Sequence, residues 1–365
     1  MATTEDLEVV KNSLNAARYL KDVFGPATGV KDAYHQLLRH CHPYLFPEVQ
    51  RPKASPVFTH LSELYKLAGE RITANTYDHP LPLRSSDGDC YRYNIGTRTL
   101  VLSQPYGTGL YSTAYAGELS GEANAVLAKV AHTPQNNLAL RKEIEVLTEI
   151  RRPSANAKRE AFLKLQRVYV PRPITSVQAQ FPDLTERTIS VLGQMPGAHF
   201  VVPDLLRRYG KPLELGHTYW IYRRILLTIS MMQMRGYVHA AITPDHLLIY
   251  PEEHGLVLID WCNACRLDGE RIRVIDPQYE GWYPPEVFKK QPVNHTTDLY
   301  MAGKVFYALT RGNAVPPAVA GAVDQTLRND FRRRPQSVME YYDRFEQTIE
   351  QVHGRRRFIN LEVPA

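Results

Sequence analysis

A Gly107-Thr108-Gly109 turn lies between two runs of strand-forming residues, and Lys129 follows 22 residues after Gly107 inside Val126-Leu127-Ala128-Lys129. Glycines at a turn let backbone N–H groups approach a phosphate closely, and a strand-borne lysine brings a point charge to the same anion. A plain hairpin makes the same glycine pattern. Downstream, Glu143 in Arg141-Lys142-Glu143 is placed on a helical segment to pair with that lysine. Asp260 stands in Ile259-Asp260-Trp261-Cys262, where a carboxylate can bind a cation or simply cap the turn before Asn263. Cys262 and Cys265 have zinc-ligand spacing, but no second pair follows and Cys41 and Cys90 are far away in the chain, so small packing cysteines are the better reading. His40, Cys41 and His42 are consecutive. On a helix they point about 100° apart, and one ion cannot take all three.

These residues need elements to hold them. Residues 1–72 read as helix, with apolar residues at three and four spacings in Leu7, Val10, Leu14 and Ala17, then Tyr34, Leu37, Leu38 and Cys41, then Phe58, Leu61, Leu64, Tyr65 and Ala68. Prolines from Pro43 to Pro56 place the loop between the second and third segments. Residues 73–89 have no period and form a linker. Short strand-like runs follow from Tyr91 to Val130, and residues 174–195 give two more strands around Phe181-Pro182-Asp183. Residues 138–150 are helical, 217–235 are apolar nearly all round and therefore buried, and 338–352 carry a stripe of Val338, Tyr342, Phe345, Ile349 and Val352.

The order of the glycine turn, Lys129, Glu143, the segment 237–249, Asp260, Tyr283-Pro284-Pro285-Glu286 and Thr297-Asp298 resembles the protein-kinase family over roughly residues 91–350. The resemblance implies an α+β, bilobal kinase-like fold, with an antiparallel-sheet N-lobe over 90–196 and a helical C-lobe over 197–353. It implies ATP or another nucleotide bound by Gly107, Gly109, Lys129, Glu143 and Asp260, with Mg²⁺ on Asp260. Ser112 takes the place of the third glycine. Arg334 is similar to the arginine that forms a buried pair with the glutamate of the A-P-E-like motif, here Glu286, and Asp298 to the brace of the catalytic loop.

One departure bears on function. Active kinases read H-R-D-x-x-x-x-N, in which the Asp orients the attacking hydroxyl and the Asn holds a second magnesium. Here those positions are Ala241 and His246. A methyl group accepts no proton, and imidazole is a poor ligand for an oxygen-seeking ion. No catalytic residue is therefore expected, and the resemblance favours a pseudokinase that binds nucleotide as a regulatory or scaffolding module. Cys262, where the family has Gly, stiffens the metal turn. The rival is an active ATP-dependent transferase, either a kinase with Asp245 as a displaced base or an enzyme that moves another group from ATP.

A helix ending in His40-Cys41-His42-Pro43, a loop and a second helix also resemble the J-domain of co-chaperones, a small three-helix domain, over about residues 12–72. The family's H-P-D tripeptide is His42-Pro43-Tyr44 here, so the charge of its trigger carboxylate is lost. The resemblance implies protein partners, a chaperone among them through residues 1–72, and leaves a co-chaperone-like adaptor as a third reading. The pairing of the two parts is similar to a group of J-like plus kinase-like proteins from bacteria and their phages.

Composition sets the outer bounds. With 365 residues and 44% apolar content the chain can bury more than one core. Four cysteines are too few and too unevenly spaced for a secreted disulfide scaffold, which points to a reducing cytoplasm. No apolar run reaches the roughly 20 residues a membrane span needs. The net charge of +6 is spread along the chain apart from Arg332 to Arg334 and a basic tail over 354–365, and does not argue for a nucleic-acid partner.

Overall fold

The computed structural model describes residues 3–17, 19–73, 77–78, 91–181, 185–193, 199–355 and 358–363. Most of the 73–89 linker, Cys90, Pro182 and Asp183, the 196/197 lobe boundary and Arg356 and Arg357 of the tail lie outside the described residues. The chain divides into two compact units, residues 1–137 with 177–189 and residues 138–176 with 190–365.

The first unit opens with helices α1 (Thr4–Ala16), α2 (Leu20–Phe24), α3 (Val30–Cys41) and α4 (Arg51–Thr73). Thr3 caps α1 through a reciprocal pair with Asp6, which satisfies two N–H groups that the helix itself cannot. Leu7, Val10 and Leu14, Leu20 and Phe24, Cys41, and Leu61, Leu64 and Ala68 of α4 close one shared core. Tyr34 stacks on Tyr65 at 4.0 Å, tying α3 to α4. The loop after α3 is shorter than its prolines suggest. Two 3₁₀ turns occupy Pro43–Leu45 and Glu48–Gln50, and α4 starts at Arg51 with Pro56 inside it. Pro56 sits in the second turn, where it has no N–H to offer the carbonyl of Pro52, and Ser55 Oγ donates to Arg51 O at 2.9 Å.

A sheet follows, built from β1 (Tyr91–Ile95), β2 (Arg98–Thr108), β3 (Ser112–Leu119), β4 (Val126–Ala131) and, after the helices α5 (Asn137–Arg151) and α6 (Ala157–Gln166), β5 (Arg172–Gln180) and β6 (Glu186–Gly193). The strand order is β1-β2-β3-β4-β6-β5, with β1 to β4 successively antiparallel. The β2–β3 ladder shifts register on both sides of Pro105, which has no N–H to donate.

The second unit continues with β7 (Phe200–Val201), α7 (Val202–Tyr209), α8 (Leu215–Arg235), β8 (Tyr237–Val238), β9 (Leu247–Tyr250), β10 (Gly255–Leu258), β11 (Cys265–Arg266), α9 (Pro285–Phe288), α10 (His295–Thr310), α11 (Pro317–Asp324) and α12 (Val338–His353). Helix α8 is buried on most of its faces, as its composition requires, and packs with α10 and α12 through Tyr222, Phe306 and Phe345. The buried row of α12 is Val338, Tyr341, Phe345 and Ile349; Tyr341 takes the place expected for Tyr342, and its hydroxyl meets that of Tyr222 at 3.0 Å. No helix among the described residues is long and apolar enough to cross a membrane.

Candidate functional site

The glycine turn is the tip of a β hairpin. Gly107 faces Ala114, Ala114 faces Lys129, and Gly109 N–H closes the turn on Ser112 O at 2.9 Å. Gly107 and Lys129 therefore share one row two strands apart, about 10 Å between Cα atoms at the usual strand spacing. Lys129 is buried among Ala128, Val130 and Ala131.

In the second unit, the segment after β8 is pinned by a fully buried carboxylate. Asp298, in the first turn of α10, accepts from His239 N–H at 2.7 Å and Ala240 N–H at 2.8 Å. Burial pushes its carboxyl up to about 7, and the two N–H bonds pull against that rise. They hold Ala240 at φ +63°, a left-handed backbone that a residue with a Cβ rarely adopts. Ala241 follows, buried and without a polar side chain. Asp245 accepts a 2.5 Å hydrogen bond from the Tyr279 hydroxyl and one of 3.3 Å from Gln278 Nε2. Burial, then the Asp245 carboxylate, push the Tyr279 phenol upward.

His246 and Asp260 are 14 positions apart and meet because β9 and β10 form a hairpin with Leu247 opposite Leu258. One step beyond that pair, Ile259 N–H donates to His246 O at 2.9 Å. His246 Nε2 lies 3.3 Å from Asp260 Oδ2, and His246 Nδ1 lies 2.8 Å from Ala241 O. Sequence reasoning treated His246 only as a lost asparagine. The signal for the pairing was present, since two four-residue apolar runs around a Pro251-to-Gly255 turn place 246 beside 259.

Asp260 is itself left-handed, φ +62°, and leads into a 3₁₀ turn over Trp261–Asn263. Trp261 N–H donates to Glu143 Oε1 at 2.9 Å, and its indole N–H to Leu258 O at 2.8 Å. Glu143 is fully buried. As a result Glu143, Asp260 and Cys262 each offer a ligand atom within 4.8 Å of the others, the one such group found among the described residues. Cys265 is not part of it: its thiol points to Asn263 O at 3.3 Å, and burial pushes it up to about 12. Cys41 is buried, its thiol pushed up to about 11, while His42 packs against Phe58; that triplet forms no cluster.

Of the residues expected to form a site, Gly107 and Lys129 thus share one sheet row with Gly109 at the hairpin tip, and Glu143 and Asp260 come together in the second unit. Magnesium takes oxygen ligands and gives up water reluctantly. Asp260 and Glu143 offer the oxygen ligands that magnesium takes, while the Cys262 thiol beside them is a donor that ion does not favour.

The buried pair expected between Glu286 and Arg334 is present, with Nη1 to Oε1 at 2.6 Å and Nη2 to Oε2 at 2.9 Å. No family model matches the chain. The architecture is nevertheless that of a protein kinase: the crystal structure of the BubR1 kinase domain superposes with a TM-score of 0.54 at 14% identity, over 72% of this chain and 84% of that one. Among curated proteins, calcium/calmodulin-dependent protein kinase type 1 of Macrobrachium nipponense is 22% identical over 243 residues, covering 63% of this chain. The chain spans 62% of the length of that relative. These likenesses establish a kinase-like fold.

Proposed function

We propose that the chain is a pseudokinase: a nucleotide-binding regulatory or scaffolding module that does not transfer phosphoryl groups. One observation carries the reading. The loop that should present a base is held in place by Asp298, yet offers only the Ala241 methyl group where the resemblance expects the carboxylate. General-base positioning is worth about 10² to 10⁴ in rate. The displaced-base rival loses ground because Asp245 is already engaged by Tyr279 and Gln278. On the binding side, Gly107 and Lys129 share one sheet row with Gly109 at the hairpin tip, an arrangement of glycine turn and ammonium that supports nucleotide binding.

Thermal shift with ATP tests this. At 100 times Kd, ligand binding stabilises by about 2.7 kcal/mol, so a true site raises the melting point, and Lys129→Ala removes the rise. Labelled ATP should give no transfer to the chain itself or to added protein. Robust transfer that depends on Asp245 would replace this reading with the transferase, and absence of any shift with every nucleotide would leave only a scaffold.

A further inference from the structure

We propose that Ser154 is a phosphorylation site, with Arg159, Arg167 and Arg235 as the receptor for its phosphate. Ser154 lies in the turn between α5 and α6, two residues before Asn156, which caps α6 by accepting from Arg159 N–H at 3.0 Å. The serine is half-buried, and its neighbours Pro153 and Ala155 are exposed. Its hydroxyl oxygen accepts from Asn156 N–H at 3.3 Å, and among the described residues its O–H donates to none.

The charges around this turn do not balance. Arg167 forks onto Glu160 at 2.6 and 2.9 Å, and the same carboxylate accepts from Ser154 N–H at 2.7 Å. The carbonyl of Arg152 accepts from Arg167 Nη2 at 3.2 Å and also from Arg235, the last residue of α8. Arg152 itself pairs with Glu149 at 3.3 Å. No carboxylate pairs with Arg159 or Arg235 among the described residues. Burial, then the charges of Arg159 and Arg167, push the Arg235 guanidinium down from its usual range, as crowded cations do. The Nε–H groups of Arg167 and Arg235 are buried without a hydrogen-bond partner among the described residues. The turn is therefore rich in positive charge and short of acceptors.

A phosphate ester answers that shortage. It carries about −1.5 to −2 charges at pH 7 and three strong acceptor oxygens, which the planar fork of arginine matches. The first N–H groups of α6 add partial positive charge on the same side. Glu160 opposes the phosphate, but it is one carboxylate facing three arginines. Sharing those arginines ties the α5–α6 turn more firmly to the end of α8. The donor is ATP on a separate protein kinase: the bond from the γ-phosphorus to its bridging oxygen breaks, a bond from Ser154 Oγ to that phosphorus forms, ADP leaves, and the hydroxyl proton passes to the base of that kinase. The inference does not depend on nucleotide binding by this chain.

The full chain is incubated with ATP, Mg²⁺ and a serine kinase that selects acceptors preceded by arginine, as Ser154 is by Arg151 and Arg152, and its peptides are analysed by mass spectrometry. One phosphoryl group per chain at Ser154 is expected, and Ser154→Ala should lose it. Phosphorus NMR then titrates the phosphoserine in the folded chain and in urea. Its second ionisation, about 6 in the unfolded chain, should fall to about 5 or below in the folded one. Arg159→Gln and Arg235→Gln should each return it toward the unfolded value. Comparing the folded and unfolded native chain keeps the test valid if a variant fails to fold. No phosphate at Ser154, the same ionisation folded and unfolded, or a folded value unmoved by both arginine variants would overturn the proposal. Binding of inorganic phosphate that is lost in Arg235→Gln, with Ser154 left unmodified by the kinase, would assign the arginines to a free anion and overturn it as well.

Discussion

Replacing Arg334 with Met would strand a buried carboxylate, and the size of the effect can be worked out from its contacts. Glu286 and Arg334 are almost wholly shielded from water, with two parallel N–H···O bonds of 2.6 and 2.9 Å. Thr297 Oγ also donates to Glu286 Oε1 at 3.0 Å, and Arg334 donates to the carbonyls of Thr296 at 3.1 Å and Arg328 at 2.8 Å. In Arg334→Met the carboxylate retains one neutral hydrogen bond from Thr297. Breaking a buried pair from one side costs about 3–5 kcal/mol, because the remaining charge stays desolvated. Trp220, Trp261 and Trp282 all lie in the second unit, so tryptophan fluorescence during urea unfolding reports on that unit. With a urea slope of about 2–3 kcal/mol/M, the midpoint should fall by about 1–2.5 M. The double change Glu286→Leu with Arg334→Met removes both charges and should be less destabilised than either single variant. A single-variant loss below about 1 kcal/mol, the level of an exposed ion pair, would refute this account of the pair.

Two further outcomes follow from particular side chains. The His254 ring lies between Trp220 at 4.6 Å and Phe358 at 4.2 Å, and burial, with Arg224 nearby, holds its pKa below 6.5. A depressed histidine adds stability above the unfolded value, and that stability is lost as pH falls through the folded value; between pH 7.5 and 5.5 the native chain should therefore lose melting temperature relative to His254→Phe. His217 and His295, depressed by burial in the same way, and Asp298, whose raised carboxyl pulls in the opposite direction, are common to both chains and cancel in the difference, so identical pH slopes would contradict the assignment. Tyr44 is 79% exposed at the end of His42-Pro43-Tyr44, and a phenol there lacks the acceptor charge of a carboxylate. The native chain should leave a partner chaperone's ATPase rate unchanged in a steady-state assay, with Tyr44→Asp as the variant that could raise it.

Much of the fold was legible because it rests on local periods and on motif order. The three stripes of the N-terminal helices, the buried α8 and the strands around Lys129 all follow from spacing. Glu286 with Arg334, and Asp298 beneath the catalytic-like loop, were readable only through the kinase resemblance, since nothing local to either residue names a partner dozens of positions away. Where spacing was ambiguous, the helix face decided. Residues 341 and 342 both fit an apolar stripe from Val338, and Tyr341 is buried because its hydroxyl finds Tyr222 inside the core. Pro56 looked like loop because proline normally ends a helix, whereas near the start of α4 the missing N–H falls where the ladder is barely established. The engagement of Asp245 by Tyr279 was not legible, because it depends on the path of an irregular segment with no period to read.

The loop after β8 combines a strained backbone with a methyl side chain at the position where the kinase resemblance expects a carboxylate. Ala240 holds a left-handed backbone that disfavours any residue with a Cβ, and Asp298 is buried against the preference of its charge; both are unfavourable by themselves. They offset each other through two short N–H bonds, and the product is a fixed path for the residues that come next. In a phosphotransferase that path would aim a carboxylate at a hydroxyl. Here the next side chain is a methyl group, so what the fixed path delivers is the Ala241 carbonyl, and that carbonyl holds the His246 ring with one nitrogen toward Asp260. The rigidity of the loop thus fixes the direction of the His246 ring, and the loop has a positional role with an alanine at 241.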